Sequence, residues 1–227
     1  MSIIDLAKEM MPERLKGIIK TEFRKHHALN FQSIEKNIPK YELSEKHMKN
    51  LQAVTNRDML VGLLPKGGIV AELGVAEGKF SKVILSQAHP RKLHLVDSWN
   101  SERYPVSLRT QLENAFQEEI KRSRVEIHTG GSLEVGETLP DSYFDWVYID
   151  TDHSYQTTLA ELELYKKKVK KGGFIAGHDF ITGNWLGMVK YGVIEAVHEF
   201  CVKNDWEITY LTMELNTNPS FAIKAIS

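Results

Sequence analysis

Cysteine is almost missing from this chain: Cys201 is the one thiol in 227 residues. A disulfide framework and a cysteine zinc site are both excluded. Its surroundings, VHEFCVKN, read as a helix that buries a structural thiol. An excess of either charge is missing too. Lys and Arg number 29 against 30 Asp and Glu, a formal net charge of −1. No polyelectrolyte partner is implied, and no nucleic acid is expected. No apolar run approaches the roughly 18 residues of a membrane span. MSIIDLAKEMMPERLK lacks the apolar stretch of a secretory leader. The expectation is a cytoplasmic protein with no membrane partner. What is present is an ordinary 42% apolar content, enough for one α/β domain and an extra segment.

Residues 1–29 place Ile3, Leu6, Met10, Leu15, Ile18, Ile19 and Phe23 at helix-like spacing, and Pro12 is expected to split the run in two. Residues 30–43, with Asn30, Asn37 and Pro39, read as a connector. A helix is expected from the N-cap Ser44 to about Leu64, where Pro65-Lys66-Gly67-Gly68 stops it. Residues 1–65 thus form a helical extension, a lid or the contact of a homo-oligomer, before an α/β domain over 66–227. From there strands and helices alternate, as in a doubly wound, mostly parallel sheet. Strands are expected at Ile69–Leu73, Lys92–Asp97, Arg124–Thr129, Trp146–Asp150 and Gly173–His178. Helices fit at 78–88, 105–122, 132–138, 154–170 and 187–203. Glu207–Met213 and Ser220–Ile226 read as a closing hairpin around Asn216, Asn218 and Pro219.

IVAELGVAEGKFS, residues 69–81, is the most informative stretch. A buried strand runs into Glu72, then into a turn with Gly74 and Gly78 at a helix N-terminus. Such a turn offers backbone N–H groups and a helix dipole to a ligand. The glycines let the backbone approach closely. They are four apart with Ala76 between them, which departs from the dinucleotide pattern G-x-G-x-x-G. The acid beside the turn suits a ligand that carries positive charge.

In open α/β sheets ligands bind beyond the carboxyl ends of the strands. The second strand, LHLVDSW, ends at Asp97, about 20 residues past the turn, where an acid can bond a ribose diol. Capping of a helix is its other reading. Gly130-Gly131-Ser132 follows the third strand and borders an adenine or makes a plain turn. Trp99 stacks on a base or joins the core. The fourth strand ends in Asp150, Asp152 and His153, and the fifth in His178 and Asp179. Neighbouring strand axes lie about 4.8 Å apart, so Asp150 and Asp179 share one small site. Two carboxylates that close repel unless a cation lies between them. Mg²⁺ or Mn²⁺ fits, with His178 as a possible nitrogen ligand. A neutral His153 can take a proton from a hydroxyl. Asp152 faces a cofactor or orients His153. Trp185, between Gly183 and Gly187, forms an acceptor wall or ordinary packing.

E-x-G-x-x-x-G resembles the first motif of class I S-adenosylmethionine-dependent methyltransferases, in which the loop wraps the amino-acid end of the cofactor. The five strands and final hairpin resemble the seven-stranded sheet of that class. IDTDHSYQTTLAELELYKKKVKKGGFIAGHDF resembles the family-24 branch, with macrocin-type sugar O-methyltransferases and cephalosporin-hydroxylase-like proteins. It is also similar to metal-dependent catechol and caffeoyl-CoA O-methyltransferases. The resemblance implies an S-adenosylmethionine site at Glu72, Gly74, Ala76, Gly78 and Ser81. It continues through Asp97, Ser98, Gly131, Ser132, Asp150 and Asp152. Metal ligands are implied at Asp150 and Asp179 and a base at His153. Catechol-type enzymes carry Asp-Asn where this chain has Asp179-Phe180, and macrocin-type enzymes have two adjacent acids where it has His178-Asp179. The third ligand is therefore His178, a water or none. Amine-modifying relatives carry an Asn/Asp-Pro-Pro-Tyr/Phe segment, absent here, so a small-molecule hydroxyl on a sugar, glycoside or phenol is the expected acceptor. A nicotinamide-dependent oxidoreductase and a non-catalytic cofactor-binding protein are the alternatives.

Overall fold

The computed structural model describes residues 12–184 and 189–226. They fall into two compact units, one of residues 12–39 with 183–184 and 189–190, the other of 40–182 with 191–226. The first unit holds helix α1, Glu13–Asn37, and a small antiparallel hairpin of β7, Gly183–Asn184, with β8, Val189–Lys190. Within it the Lys190 ammonium lies 3.1 Å from Glu35. Pro12 stands at the N-cap of α1. The expected helix before it lies outside the described residues, as does Trp185. Residues 30–37, expected as a connector, continue α1.

The second unit is built on an eight-stranded sheet, one strand more than expected. Its strands are β1, Gln52–Val54; β2, Ile69–Leu73; β3, Lys92–Asp97; β4, Val125–Thr129; β5, Phe144–Ile149; β6, Val169–Gly177; β9, Trp206–Thr212; and β10, Phe221–Ala225. The order is β1-β9-β10-β6-β5-β2-β3-β4. β10 runs antiparallel to both its neighbours, and the other pairs are parallel. The chain reverses direction of travel between β2 and β5. That switch point opens a crevice at the strand ends.

The added strand corrects the single helix expected over 44–64. Ser44 caps only a 3-10 turn, Glu45–His47, with its backbone N–H bonded to His47 Nδ1 at 3.0 Å. β1 then pairs in parallel with β9, and α2, Arg57–Leu63, starts afresh at Asn56. The Asn56 side chain accepts the Met59 N–H at 2.9 Å, an N-cap bond. The domain boundary accordingly falls after Pro39 and not at residue 65. Residues 40–64 belong to the sheet unit because β1 extends it and α2 buries Leu60 and Val61.

Strand alternation divides the core between the two faces. Val147 and Ile149 of β5 pack on one side with Leu162 and Tyr165 of α7, Tyr155–Lys168, and Ala196 and Phe200 of α8, Val193–Asn204. Trp146 and Tyr148 face the other side with Leu60, with Phe80 and Ile84 of α3, Lys79–Gln87, and with Leu112 of α4, Val106–Ala115. The helix expected at 105–122 divides at Phe116 into α4 and α5, Gln117–Lys121. β6 begins at Val169, four residues before its expected start, and α7 ends at Lys168 to make room. α6, Ser132–Thr138, falls where expected. Cys201 is buried on α8, and burial pushes its thiol up to about 12. Among the described residues no helix is long and apolar enough to cross a membrane.

The cap at Asn56 gives a direct check on this chain path. Asn56→Ala should lower stability by about 1 kcal/mol, read as a shifted midpoint in urea denaturation. A continuous helix from Ser44 would carry Asn56 as an interior residue and show no such loss.

Candidate active site

Four strand ends meet around one cleft of about 460 Å³. The ends of β2 and β5 touch through their main chains. The Asp150 N–H donates to Leu73 O at 2.7 Å, and Gly74, at φ +85°, lies against the Asp150 carbonyl. A Cβ at Gly74 would come within 1.9 Å of that oxygen. Gly74 is thus required by a neighbouring strand as well as by its own turn. Gly78, at φ +78°, starts α3 and packs against Leu112 and Phe116.

Asp97 at the end of β3 braces the turn. One carboxylate oxygen accepts the Val75 and Ala76 N–H groups at 2.8 and 2.9 Å, and the other accepts the Trp99 N–H at 3.1 Å. Asp97 also lines the cleft. Trp99 is buried, and its indole N–H donates to Ala76 O at 2.9 Å. It therefore holds the turn from the core side. Ala76 itself adopts φ +50°, a left-handed conformation that these bonds maintain. Ser98, Gly131 and Ser132 all line the cleft, and Gly131 caps α6.

Glu72 is 1% exposed yet reaches the cleft wall. Burial pushes its carboxyl up to about 8, against the Ser81 hydroxyl, which donates to it at 2.5 Å and pulls the other way. The ligand-free carboxyl is therefore protonated at neutral pH. Asp152 accepts the Ser154 N–H and the Thr157 hydroxyl, each at 2.8 Å, and so braces Ser154, the N-cap of α7, at the cleft rim.

The acids of β5 and β6 converge on one nitrogen. His153 Nε2 lies 3.1 Å from Asp150 Oδ1 and 2.9 Å from Asp179 Oδ2. His153 and Asp179 both take left-handed backbone conformations, φ +62° and +57°. Each conformation turns its side chain back toward the strand ends. Burial disfavours the charged imidazole, but hydrogen bonds and charge from the two carboxylates outweigh it and raise His153 to about 9. Asp179 is 5% exposed; burial raises its carboxyl, but the two imidazoles overcome this and hold it well below the usual range. Asn218, from the loop before β10, donates to its other oxygen. The neutral His153 expected from the sequence is therefore an imidazolium in this pairing. It becomes a base only when another cation takes up the carboxylate charge.

His178 stands slightly apart. Its Nδ1 is 3.5 Å from Asp179 and 3.8 Å from Asp150, and its Nε2 is buried without a hydrogen bond among the described residues. The three ligand atoms within 4.8 Å of one another come from Asp150, His153 and Asp179. Two carboxylate oxygens and an imidazole nitrogen on one point form a donor set that suits Mg²⁺ or Mn²⁺. His153 takes the nitrogen place that the sequence reading gave to His178.

Two cleft residues, and a buried acid behind the cleft wall, are not evident in the sequence. Arg57 has its guanidinium 3.9 Å from Asp150 and 4.5 Å above the Phe80 ring. Tyr104 adds a phenol wall. Glu161, fully buried on α7, accepts bonds from the Ser132 and Thr151 hydroxyls, and burial raises it to about 7. The Asn56 cap was the only local signal near Arg57. Glu161 sits inside a charged helical run that hides it.

The sheet order and its switch-point cleft have the class I methyltransferase fold. Residues 71–180 match a methyltransferase-domain model, that of methyltransferase family 24. The chain is 26% identical over 140 residues to an uncharacterized protein of Acanthamoeba polyphaga mimivirus, covering 56% of this chain. The match spans 58% of that relative's length. In fold it is similar to a candidate rRNA methylase from Clostridium thermocellum, with TM-score 0.57, 14% identity and coverage of 77% of this chain and 98% of the other. It is also similar to a candidate methyltransferase from Streptococcus mutans solved with SAH, with TM-score 0.51, 16% identity and coverage of 73% and 92%.

Gly74→Ala tests the contact between the strand ends. The left-handed conformation and the backbone collision together should cost at least about 2 kcal/mol. Thermal unfolding reads the loss, and a variant as stable as the native chain would remove the contact from the account.

Proposed function

We propose that this protein transfers the sulfonium methyl group of S-adenosylmethionine to a hydroxyl of a small molecule, a sugar, glycoside or phenol, with a divalent cation between Asp150 and Asp179 and His153 as the base. The observation that carries this reading is the convergence of Asp150 and Asp179 on one point beside the cofactor turn. Two carboxylates and one imidazole bind a cation better than they bind a neutral group. The match to a methyltransferase-domain model speaks against the nicotinamide-dependent alternative, and a non-catalytic role gives no reason for that convergence.

Each residue has a separate task. Glu72, buried at the end of β2, meets the ammonium of the cofactor's amino-acid end. Asp97 holds the turn with its amide bonds and offers its remaining lone pairs to the ribose diol. Ser132 and Gly131 border the base. Methyl transfer is an in-line displacement that needs alignment more than covalent help. A bound cation would lower the pKa of the acceptor hydroxyl and fix its direction. His153 lies at the same point and receives the hydroxyl proton. Tyr104 and the 98–106 loop border the acceptor side.

Three outcomes test the reading. EDTA should abolish methyl uptake by hydroxylated sugars or phenols and Mg²⁺ should restore it, with Asp150→Ala inactive under both conditions; full activity in EDTA would sink the metal assignment. His153→Ala should lower kcat by roughly 10²-fold and leave cofactor affinity nearly unchanged in calorimetry. Glu72 should couple cofactor binding to protons. Its folded-state carboxyl titrates near 8 and its unfolded one near 4.5. The stability that goes with its protonated form is full below pH about 4.5 and is lost as pH rises through about 8. Cofactor affinity should therefore rise with pH up to about 8, with proton release in buffers of different ionisation enthalpy. Glu72→Gln should remove the pH-linked loss of stability and weaken cofactor binding. Equal proton release by the native chain and the variant would exclude Glu72 as the coupled group.

A further inference from the structure

A second group of metal-ligating side chains lies away from the cleft, where β3 meets the edge strand β4. The parallel register sets His94 opposite Glu126 and Val96 opposite His128. Alternate residues of neighbouring strands share a face, so His94, Glu126 and His128 come together on one side of the sheet. His94 Nδ1 lies 2.9 Å from His128 Nε2, and that same nitrogen lies 3.5 Å from Glu126 Oε1. Two imidazole nitrogens that each stand about 2.0–2.1 Å from one tetrahedral zinc ion lie about 3 Å apart. The two spacings are close to the edges of such a tetrahedron, and the three ligand atoms all lie within 4.8 Å of one another.

We propose that His94, Glu126 and His128 form a transition-metal site, with zinc the best-suited ion, that clamps the edge strand β4 to β3. The donor set is two imidazoles and one carboxylate. It favours a borderline-soft ion over Mg²⁺ or Ca²⁺, which take oxygen ligands. Lys92 holds the second Glu126 oxygen, which leaves Oε1 directed at His128. His94 is buried against the rings of Tyr143 and Phe144, and its Nε2 makes no hydrogen bond among the described residues. Its Nδ1 is therefore the nitrogen open to a polar partner. Glu126 is partly exposed, so an ion and a fourth, water ligand have a path from solvent. The clamp has a consequence along both strands. His94 lies three residues before Asp97 and His128 two before Gly130, and the Gly130 N–H bonds Asp97 O at 3.0 Å. A fixed β3–β4 pair holds those two cleft residues in register.

Zinc titration of the full chain carrying Asp150→Asn and Asp179→Asn tests this, because the cleft carboxylates then cannot take up the ion. One Zn²⁺ per chain should bind and raise the Tm. His128→Ala and Glu126→Gln, added singly to that background, should each weaken binding by roughly tenfold or more. Both positions are more open than His94, and circular dichroism confirms the fold. Absence of zinc uptake by the folded double variant, or uptake that neither substitution changes, would overturn the proposal. If the double variant does not fold, the otherwise native chain gives the same answer through stoichiometry. His128→Ala should bind one Zn²⁺ fewer than the parent, and an unchanged number overturns the site.

Discussion

The contact on which the site depends is between two backbones, at Gly74 and Asp150. A hydrogen bond of 2.7 Å from Asp150 N to Leu73 O fixes the separation, and the missing Cβ of Gly74 permits it. Much of the site hangs from the two strands so joined. Glu72 and the glycine turn stand on one side of the contact, and Asp150 leads into His153 on the other. A side chain at Gly74 would part β2 and its glycine turn from β5 and the acid at its end. Asp97 completes the arrangement, since its carboxylate ties three backbone amides of the surrounding loops to β3. The cleft is thus pre-organised by main-chain bonds before any ligand contributes.

The parallel part of the sheet was legible because its strands are buried on both faces. Ile69–Leu73 and Phe144–Ile149 read as apolar runs, and each strand end is marked by an acid or a glycine. β1 could not be read in the same way. It has three residues, two of them exposed, and exists because β9 offers a partner more than 150 residues later. Such pairing leaves no local pattern. The helical residues on either side of it therefore read as one helix, although Asn56 marks a second start.

The site shows where local reading stops. Asp150 and Asp179 were evident as strand-end acids, and their convergence follows from the pairing of β5 with β6. That His153 and not His178 stands between them turns on two positive φ angles at non-glycine residues. No sequence pattern announces that His153 or Asp179 will be left-handed. Arg57 and Glu161 were hidden for a different reason. They reach the cleft from helices, and only the packing of α2 and α7 on the sheet brings them there. Trp99 was open between base and core, and its bond to Ala76 O assigns it to the core.

The cleft sorts its carboxyl groups by environment. Glu72 and Glu161 lie in apolar surroundings with hydroxyl donors, and burial raises both toward neutrality. Asp179, almost as buried, is held as an anion because two imidazoles face it. Glu72 thus favours its uncharged form, and Asp179 its charged one. In the proposed function the ammonium group of S-adenosylmethionine brings positive charge to Glu72. In the same proposal the Asp179 carboxylate faces the position of the hydroxyl proton. Carboxylates of one kind would then serve cofactor and acceptor, separated in role by what packs around each.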